Sequence, residues 1–442
     1  MASGSGTVGP ATAGATDSVA SLDHSKFDEV VEIVALRISA RQCTAFLKQL
    51  SGHVLHRPRV KPIVADADGK ADSRLLLLAE SVRGLELAEL PSDVRQYALA
   101  EGATPVRHTL RLGYEHLTVD QVLRRLLPSG MEVPSAFEQV GHVAHMNLRE
   151  EHLPYKTIIG QVLLEKNTPR IRSVVNKVET ISKGADELAW KFRVFPMEVL
   201  AGDDDLRTSV RENGARFELD YRQVYWNSRL ETEHKRILQL LPADTVVADV
   251  FAGIGPFAVP AAMRKCRVYA NDLNPKSHEF LVANVRGNKV EARVRTYNLD
   301  GRDFIRALMQ PDALAFGFFS HALMNLPASA LTFLDAFVGA FDRDRWTAPL
   351  PTVHCYCFSK AADPKADVIA IAERTMGCSL PNAHVAVVRD VSPHKLMLCL
   401  EFQVPDEIAW ASTGESSGGA GTGRAKRPRG AEDGCDANEQ PV

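Results

Sequence analysis

Val246-Val-Ala-Asp-Val-Phe-Ala-Gly-Ile-Gly-Pro-Phe257 decides the fold. Residues 245–250 are mostly apolar and rich in valine, as a buried strand requires. Gly253 and Gly255 then let the backbone turn tightly and pass close to a ligand. Pro256 suits the first position of a helix. The stretch therefore reads as strand, turn and helix, and the helix N-terminus faces whatever lies at the turn.

Outward from this turn, helix and strand alternate. Helices are predicted over 229–241, 257–264, 275–288, 302–309, 329–341 and 362–376. Strands are predicted over 245–250, 267–270, 294–298, 316–324 and 353–358. Strict alternation predicts a mostly parallel sheet with helices on both faces. Two last strands, 385–391 and 396–402, are joined by a short Ser-Pro-His turn, which predicts one antiparallel strand at the sheet edge.

Polar residues mark three successive strand ends. Asp249 closes the first, Asp272 the next in Asn271-Asp-Leu-Asn-Pro275, and Asp300 the third in Asn298-Leu-Asp-Gly-Arg-Asp303. A carboxylate at Asp272 is placed to accept hydrogen bonds from two ribose hydroxyls, and Asp300 from an adenine amino group. Open α/β sheets bind ligands at this carboxyl edge. Leu273 and Gly301 sit beside the two aspartates and complete the candidate set with Gly253 and Gly255. A dinucleotide enzyme ordinarily shows a third glycine; none follows here, and Phe257 is too large for tight phosphate packing. The pattern favours S-adenosylmethionine, the cofactor of Rossmann-like methyltransferases. Asn325, in Asn325-Leu-Pro327 after the fourth strand, stands where such enzymes hold a planar nitrogen-bearing target by its edge. It would also face the cofactor.

The 442 residues are too many for one ordinary domain. The hydrophobic share of 45% and the charged share of 24% are those of a globular protein. No apolar run is long enough for a transmembrane helix. The first basic residue is Lys26 and no apolar core precedes it, so neither a secretory signal nor a transit peptide is expected. The seven cysteines are scattered, and Cys355 and Cys357 alternate along a strand rather than pairing; no metal site is expected. A net charge of −3 does not mark a nucleic-acid binder. Residues 145–183, with seven Lys or Arg against four Asp or Glu, nonetheless permit an RNA partner.

Five regions follow. Residues 1–25 read as disordered, as does a basic tail over 406–442 carrying Arg424, Lys426, Arg427 and Arg429. Residues 26–140 read as an α+β domain with a hairpin formed by 60–64 and 74–78, and a helix over 119–127. Residues 141–224 read as a second α+β domain, with strands over 140–146, 172–178, 192–200 and 216–219 and a helix over 155–166. Residues 225–405 form the methyltransferase domain. No heptad or broad apolar stripe signals an oligomer, so a monomer is expected.

Ordered blocks carry a resemblance. They are Gly141-His-Val-Ala-His-Met-Asn-Leu-Arg149, Leu153-Pro-Tyr-Lys-Thr-Ile-Ile-Gly-Gln-Val162, Met197-Glu-Val-Leu-Ala-Gly202, Val224-Tyr-Trp-Asn-Ser-Arg-Leu-Glu-Thr-Glu-His234, the Asp249–Phe257 turn, Asn271–Pro275, Met324-Asn-Leu-Pro327 and His354-Cys-Tyr-Cys-Phe-Ser-Lys360. Across about 140–402 the chain resembles the tRNA (guanine-37-N1)-methyltransferase family of eukaryotes and archaea. The resemblance implies methylation at N1 of guanosine 37, next to the anticodon. It implies Glu233 as general base, Glu231 falling two places too early, and Arg193 holding guanine O6. It also implies His234 at the cofactor, Asn325 orienting the guanine, Pro327 shaping that turn and Arg229 contacting substrate. Residues 26–140 would touch the outer corner of the tRNA. Ser228 departs from the proline of the archaeal pattern, which loosens the loop before Arg229. The resemblance implies work in cytoplasm and nucleus, with the mitochondrial matrix as a further place. Two alternatives stay open: a related enzyme that transfers the cofactor's aminocarboxypropyl arm during wybutosine synthesis, and a non-catalytic tRNA-binding protein.

Overall fold

The computed structural model describes residues 22–69, 72–178, 192, 196–310 and 313–411. Its described residues divide into two compact units, one drawn from residues 1–177 and 197–205, the other from residues 178–196 and 206–442.

The first unit holds two antiparallel or mixed sheets. Strands β1 (Glu29–Ser39), β2 (Ile63–Ala65), β3 (Ser73–Leu77) and β4 (Thr104–Leu112) lie in the order β2-β3-β1-β4, every pair antiparallel. The expected hairpin is β2 with β3. Its turn is fixed by Asp66, which accepts from Arg37 Nε at 2.5 Å. Helices α1 (Cys43–Gln49) and α2 (Ser92–Ala100) close a core of Val34, Leu36, Phe46, Leu50 and Leu76. Helix α3 (Val119–Leu126) starts at a reciprocal cap between Thr118 and Gln121.

The second sheet has the order β5 (Glu138–Val140), β6 (Val143–Met146), β7 (Ser173–Lys177), β8 (Met197–Gly202). Helix α4 (Lys156–Asn167) crosses between the parallel pair β6 and β7. The single strand expected over 140–146 is instead two strands of a hairpin, broken at Gly141, whose φ is +58°. The strand expected from 192 begins at Met197. The N-terminal tail is shorter than expected. Leu22 is buried, Asp23 caps a 3-10 turn over His24–Phe27, and His24 stacks on Tyr114 at 4.2 Å. Apolar side chains at 22 and 27 draw this segment into the core around Ile159 and Val162.

The second unit opens with a hairpin, β9 (Arg207–Glu212) and β10 (Ala215–Asp220), and helix α5 (Glu231–Leu240). The sequence groups this hairpin with the preceding domain. In the structure Asn284 and Asn288 of helix α7 exchange hydrogen bonds with Glu218 and Arg216 of β10, which ties it to the sheet unit. The unit continues through β11 (Val246–Asp249), α6 (Ala258–Met263), β12 (Arg267–Asn271), α7 (Pro275–Gly287), β13 (Val294–Tyr297), α8 (Gly301–Leu308), β14 (His321–Met324), β15 (Thr352–Ser359), α9 (Pro364–Met376), β16 (His384–Ser392) and β17 (Lys395–Gln403). The sheet order is β13-β12-β11-β14-β15-β17-β16, with the first five strands parallel.

The antiparallel strand is not at the edge. Strand β17 runs antiparallel between β15 and β16, and β16 takes the edge. Burial explains the order. Leu398, Cys399 and Leu400 are fully buried, whereas His384 and Val387 on β16 are exposed. The strand expected from 316 starts at His321, and the helix expected over 329–341 is a 3-10 helix, Ala330–Phe337. The C-terminal tail also begins later than 406. A short helix α10 (Asp406–Ala409) buries Ile408 and Ala409 in the main core. Among the described residues no helix is long and apolar enough to cross a membrane.

A close helix–strand approach offers a test of the first unit. A Cβ on Gly160 of α4 would lie 2.6 Å from Leu200 Cβ of β8. Gly160→Val is expected to destabilise the protein by about 1–3 kcal/mol, since neither backbone yields easily. A lowered thermal transition with unchanged S-adenosylmethionine affinity checks it.

Candidate active site

The carboxyl edge of the second unit's sheet is stitched by asparagine side chains. Asn271, fully buried at the end of β12, donates through Nδ2 to the carbonyls of Val250 and Leu299, each at 3.0 Å. Its Oδ1 accepts from Leu299 N at 2.9 Å. One side chain thus joins the ends of three strands. Asn284 donates to Ile254 O inside the turn at 3.1 Å, and Asn274 to Gln223 O at 3.0 Å. Asn298 donates to the carbonyls of Asp272 and Leu273 at 2.7 and 3.1 Å. Sequence reading passed over these residues because asparagine in a loop ordinarily signals only a turn.

Within the turn, Gly253 and Gly255 both have positive φ. Open space surrounds Gly253, whereas a Cβ on Gly255 would meet Leu281 Cδ1 at 2.9 Å. Gly301 has a packing reason: Phe251 Cε1 lies 2.8 Å from where its Cβ would be.

The three aspartates are not equivalent. Asp249 is fully buried, and among the described residues neither carboxylate oxygen has a hydrogen-bond partner. Burial, with the nearby Asp272 charge adding to it, pushes its carboxyl well above the usual range. Asp272 is half-buried and held in place: Oδ2 accepts from Gly253 N at 2.8 Å and Oδ1 from Asn274 N at 2.9 Å. Burial raises its carboxyl to about 6 despite those bonds. Asp300 caps α8, accepting from Arg302 N at 2.9 Å. A buried carboxylate without donors requires hydrogen-bond donors or positive charge. S-adenosylmethionine offers both, through its ribose hydroxyls, ammonium and sulfonium, so the residues fit that group. The pyrophosphate of a dinucleotide would meet repulsion here.

Upstream, Arg229 sits exposed in the 3-10 turn Ser228–Leu230 that leads into α5. Glu231 is exposed and Glu233 buried, 8% accessible. Glu233 accepts from Arg236 Nε at 2.8 Å, Arg236 Nη2 at 2.7 Å and the Tyr356 hydroxyl at 2.8 Å. His234 is turned the other way. Its Nδ1 meets Glu212 at 2.5 Å and its ring packs edge-on against Phe257 of the cofactor turn, centroids 4.6 Å apart. Its buried Nε2 has no partner among the described residues. The same holds for Asn325 Oδ1. The Pro327 carbonyl accepts from Phe358 N at 3.0 Å, which pins the Asn-Leu-Pro turn to the end of β15. Arg193 lies outside the described residues.

A seven-stranded sheet of this order, with carboxylates at three successive parallel strand ends and Asn325 at a fourth, is that of a Rossmann-like, S-adenosylmethionine-dependent methyltransferase. Comparison with known proteins gives the particular family. The model described as the TRM5/TYW2 methyltransferase domain matches residues 208–360, and the TYW2 N-terminal domain matches 119–205. A tRNA (guanine(37)-N(1))-methyltransferase of Phytophthora infestans is 46% identical over 404 residues, 90% of this chain and 95% of that protein. The Homo sapiens protein of the same name is 40% identical, over 88% of this chain and 77% of its own length. The chain belongs to the tRNA (guanine(37)-N(1))-methyltransferase family. Among solved structures, the complex of aTrm5 and tRNALeu superimposes with a TM-score of 0.60 at 20% identity, covering 84% of this chain and 100% of that one. Trm5b from Pyrococcus abyssi gives 0.56 at 23%, covering 84% and 99%. These two share the fold.

The raised Asp272 carboxyl predicts a pH dependence. Ribose hydroxyls donate to the carboxylate, so binding favours the ionised form. Affinity for S-adenosylmethionine should therefore strengthen as pH rises through about 6 and weaken below it. Asp272→Asn should bind more weakly and lose that dependence. Calorimetric titrations between pH 5 and pH 8 measure both.

Proposed function

We propose that this protein transfers the methyl group of S-adenosylmethionine to N1 of guanosine 37 in tRNA. The observation that carries the reading is the placing of Glu233. It is a buried carboxylate on α5, and the next residue, His234, packs on Phe257 of the cofactor turn.

Guanine N1 carries a proton at neutral pH and is a poor nucleophile. A base must take that proton while a cation stabilises the negative charge developing on O6. Glu233 serves as the base and Arg193 as the O6 partner. Asn325 supplies a buried amide oxygen that orients the guanine edge, with Pro327 fixing its turn. Arg229 contacts the tRNA. When bound, S-adenosylmethionine would supply an electrophilic methyl on its sulfonium, the S–C bond electrons returning to sulfur as a neutral thioether. Asp249, Gly253, Gly255, Asp272, Leu273, Asp300, Gly301 and His234 hold it. The N1–H bond breaks towards Glu233 as the N1–C bond forms.

Residues 26–140 contribute tRNA contacts away from the reaction, and the protein acts as a monomer. The basic run at 424–429 supports work in the nucleus as well as the cytoplasm.

Glu233→Gln is expected to retain cofactor affinity and to lower the methylation rate at least a hundredfold, the scale of general-base catalysis. Arg193→Ala should likewise lose rate and keep cofactor binding. The assay is single-turnover transfer of labelled methyl to a transcript with guanosine 37. Either variant working at the parent rate would remove that residue from its role. Transfer of the labelled aminocarboxypropyl arm instead would move the enzyme to the other reaction.

A further inference from the structure

The proposed base is one end of a partly buried ionic chain that runs across the strands of the sheet. Arg236 clamps Glu233 through Nε and Nη2, and its Nη1 donates to Glu401 Oε1 of β17 at 2.8 Å. The same Glu401 oxygen accepts from His354 Nδ1 of β15 at 3.2 Å, and the other from His384 Nδ1 of β16 at 3.1 Å. His354 Nε2 meets His321 Nδ1 of β14 at 3.0 Å. One guanidinium is thus shared between two carboxylates lying 168 positions apart in the chain.

We propose that Glu401 is a positioning residue for methyl transfer, which by drawing on Arg236 from the far side keeps Glu233 a competent base. This rests on Glu233 being that base.

The argument is electrostatic. A carboxylate held by a guanidinium alone is a poor proton acceptor, because the cation stabilises its charged form. A second carboxylate on the same cation reverses part of that effect, since like charges favour protonation of one partner. The surroundings keep the arrangement in one charge state. Burial alone would raise the Glu401 carboxyl, but the bonds from His354 and Arg236 overcome it and hold it at about 2. Glu401 therefore stays ionised. Burial and the neighbouring His354 push His321 down to about 4, so it stays neutral at working pH. Burial likewise pushes the Tyr356 phenol and the Cys399 thiol up, and both remain protonated. Tyr356 then acts on Glu233 only as a donor. His234, on the same helix, is engaged with Glu212. His354, Cys399 and Glu401 place donor atoms within 4.8 Å of one another, but Arg236 already supplies the cation there, and the cluster is an ionic network rather than a metal site.

The test is the pH dependence of single-turnover methylation at saturating cofactor and tRNA. Glu401→Gln keeps the shape and removes the charge, leaving Arg236 wholly on Glu233. Its rate at pH 7 should fall about tenfold, and the acid limb of its profile should move about one pH unit lower. Arg236→Gln leaves the two carboxylates uncompensated, and its acid limb should move about one unit higher. Cofactor affinity and thermal transition, measured alongside, report folding. Opposite shifts in folded variants support the proposal. Equal losses of rate with an unmoved limb overturn it, as does a Glu401→Gln rate equal to the parent's. Failure of the base assignment has a different signature: Glu233→Gln would then retain the parent rate and limb.

Discussion

Everything at the reaction edge depends on the side chain of Asn271. The ends of parallel strands leave backbone donors and acceptors without partners, and buried ones must be satisfied. Asn271 satisfies the carbonyls of Val250 and Leu299 and the amide of Leu299 together. A primary amide carries both donors and an acceptor in one plane, which neither aspartate nor a hydroxyl provides. With these three ends fixed, Asp249, Asp272 and Asp300 are held along a single edge. Asn274, Asn284 and Asn298 extend the same device to the neighbouring loops.

Charge then divides the labour. Asp249 is buried with no donor among the described residues, a costly placement for a carboxylate that a cationic ligand relieves. Glu233 is also buried, yet it is given three donors. The first carboxylate is arranged to attract a ligand. The second is fixed in one orientation by those donors. Their environments, rather than their chemical type, separate the two roles.

Much of this was legible in the sequence. The alternation over 225–405 and the Gly253–Gly255 turn follow from local chemistry, and both stand in the structure. Glu233 and Glu231 could be ranked by their place in a motif, and burial distinguishes them too. The position of β17 was not legible as an order, although its apolar run 396–400 held the signal that it is covered on both faces. The ionic chain was invisible for another reason. Arg236 and Glu401 lie 165 positions apart, and no local pattern links them. The asparagine stitches escaped because their partners are backbone atoms, which have no sequence signature. The tail boundaries were misjudged because small polar neighbours masked single apolar anchors at Leu22 and Ile408.

The most direct measurement is the affinity of Asn271→Ala for S-adenosylmethionine, by calorimetry at neutral pH, with tRNA affinity measured in parallel. Losing this hub leaves three strand-end groups unpaired, each worth about 1 kcal/mol. The account predicts cofactor binding at least tenfold weaker, with tRNA affinity unchanged. A folded Asn271→Ala protein that binds the cofactor as tightly as the parent would contradict it.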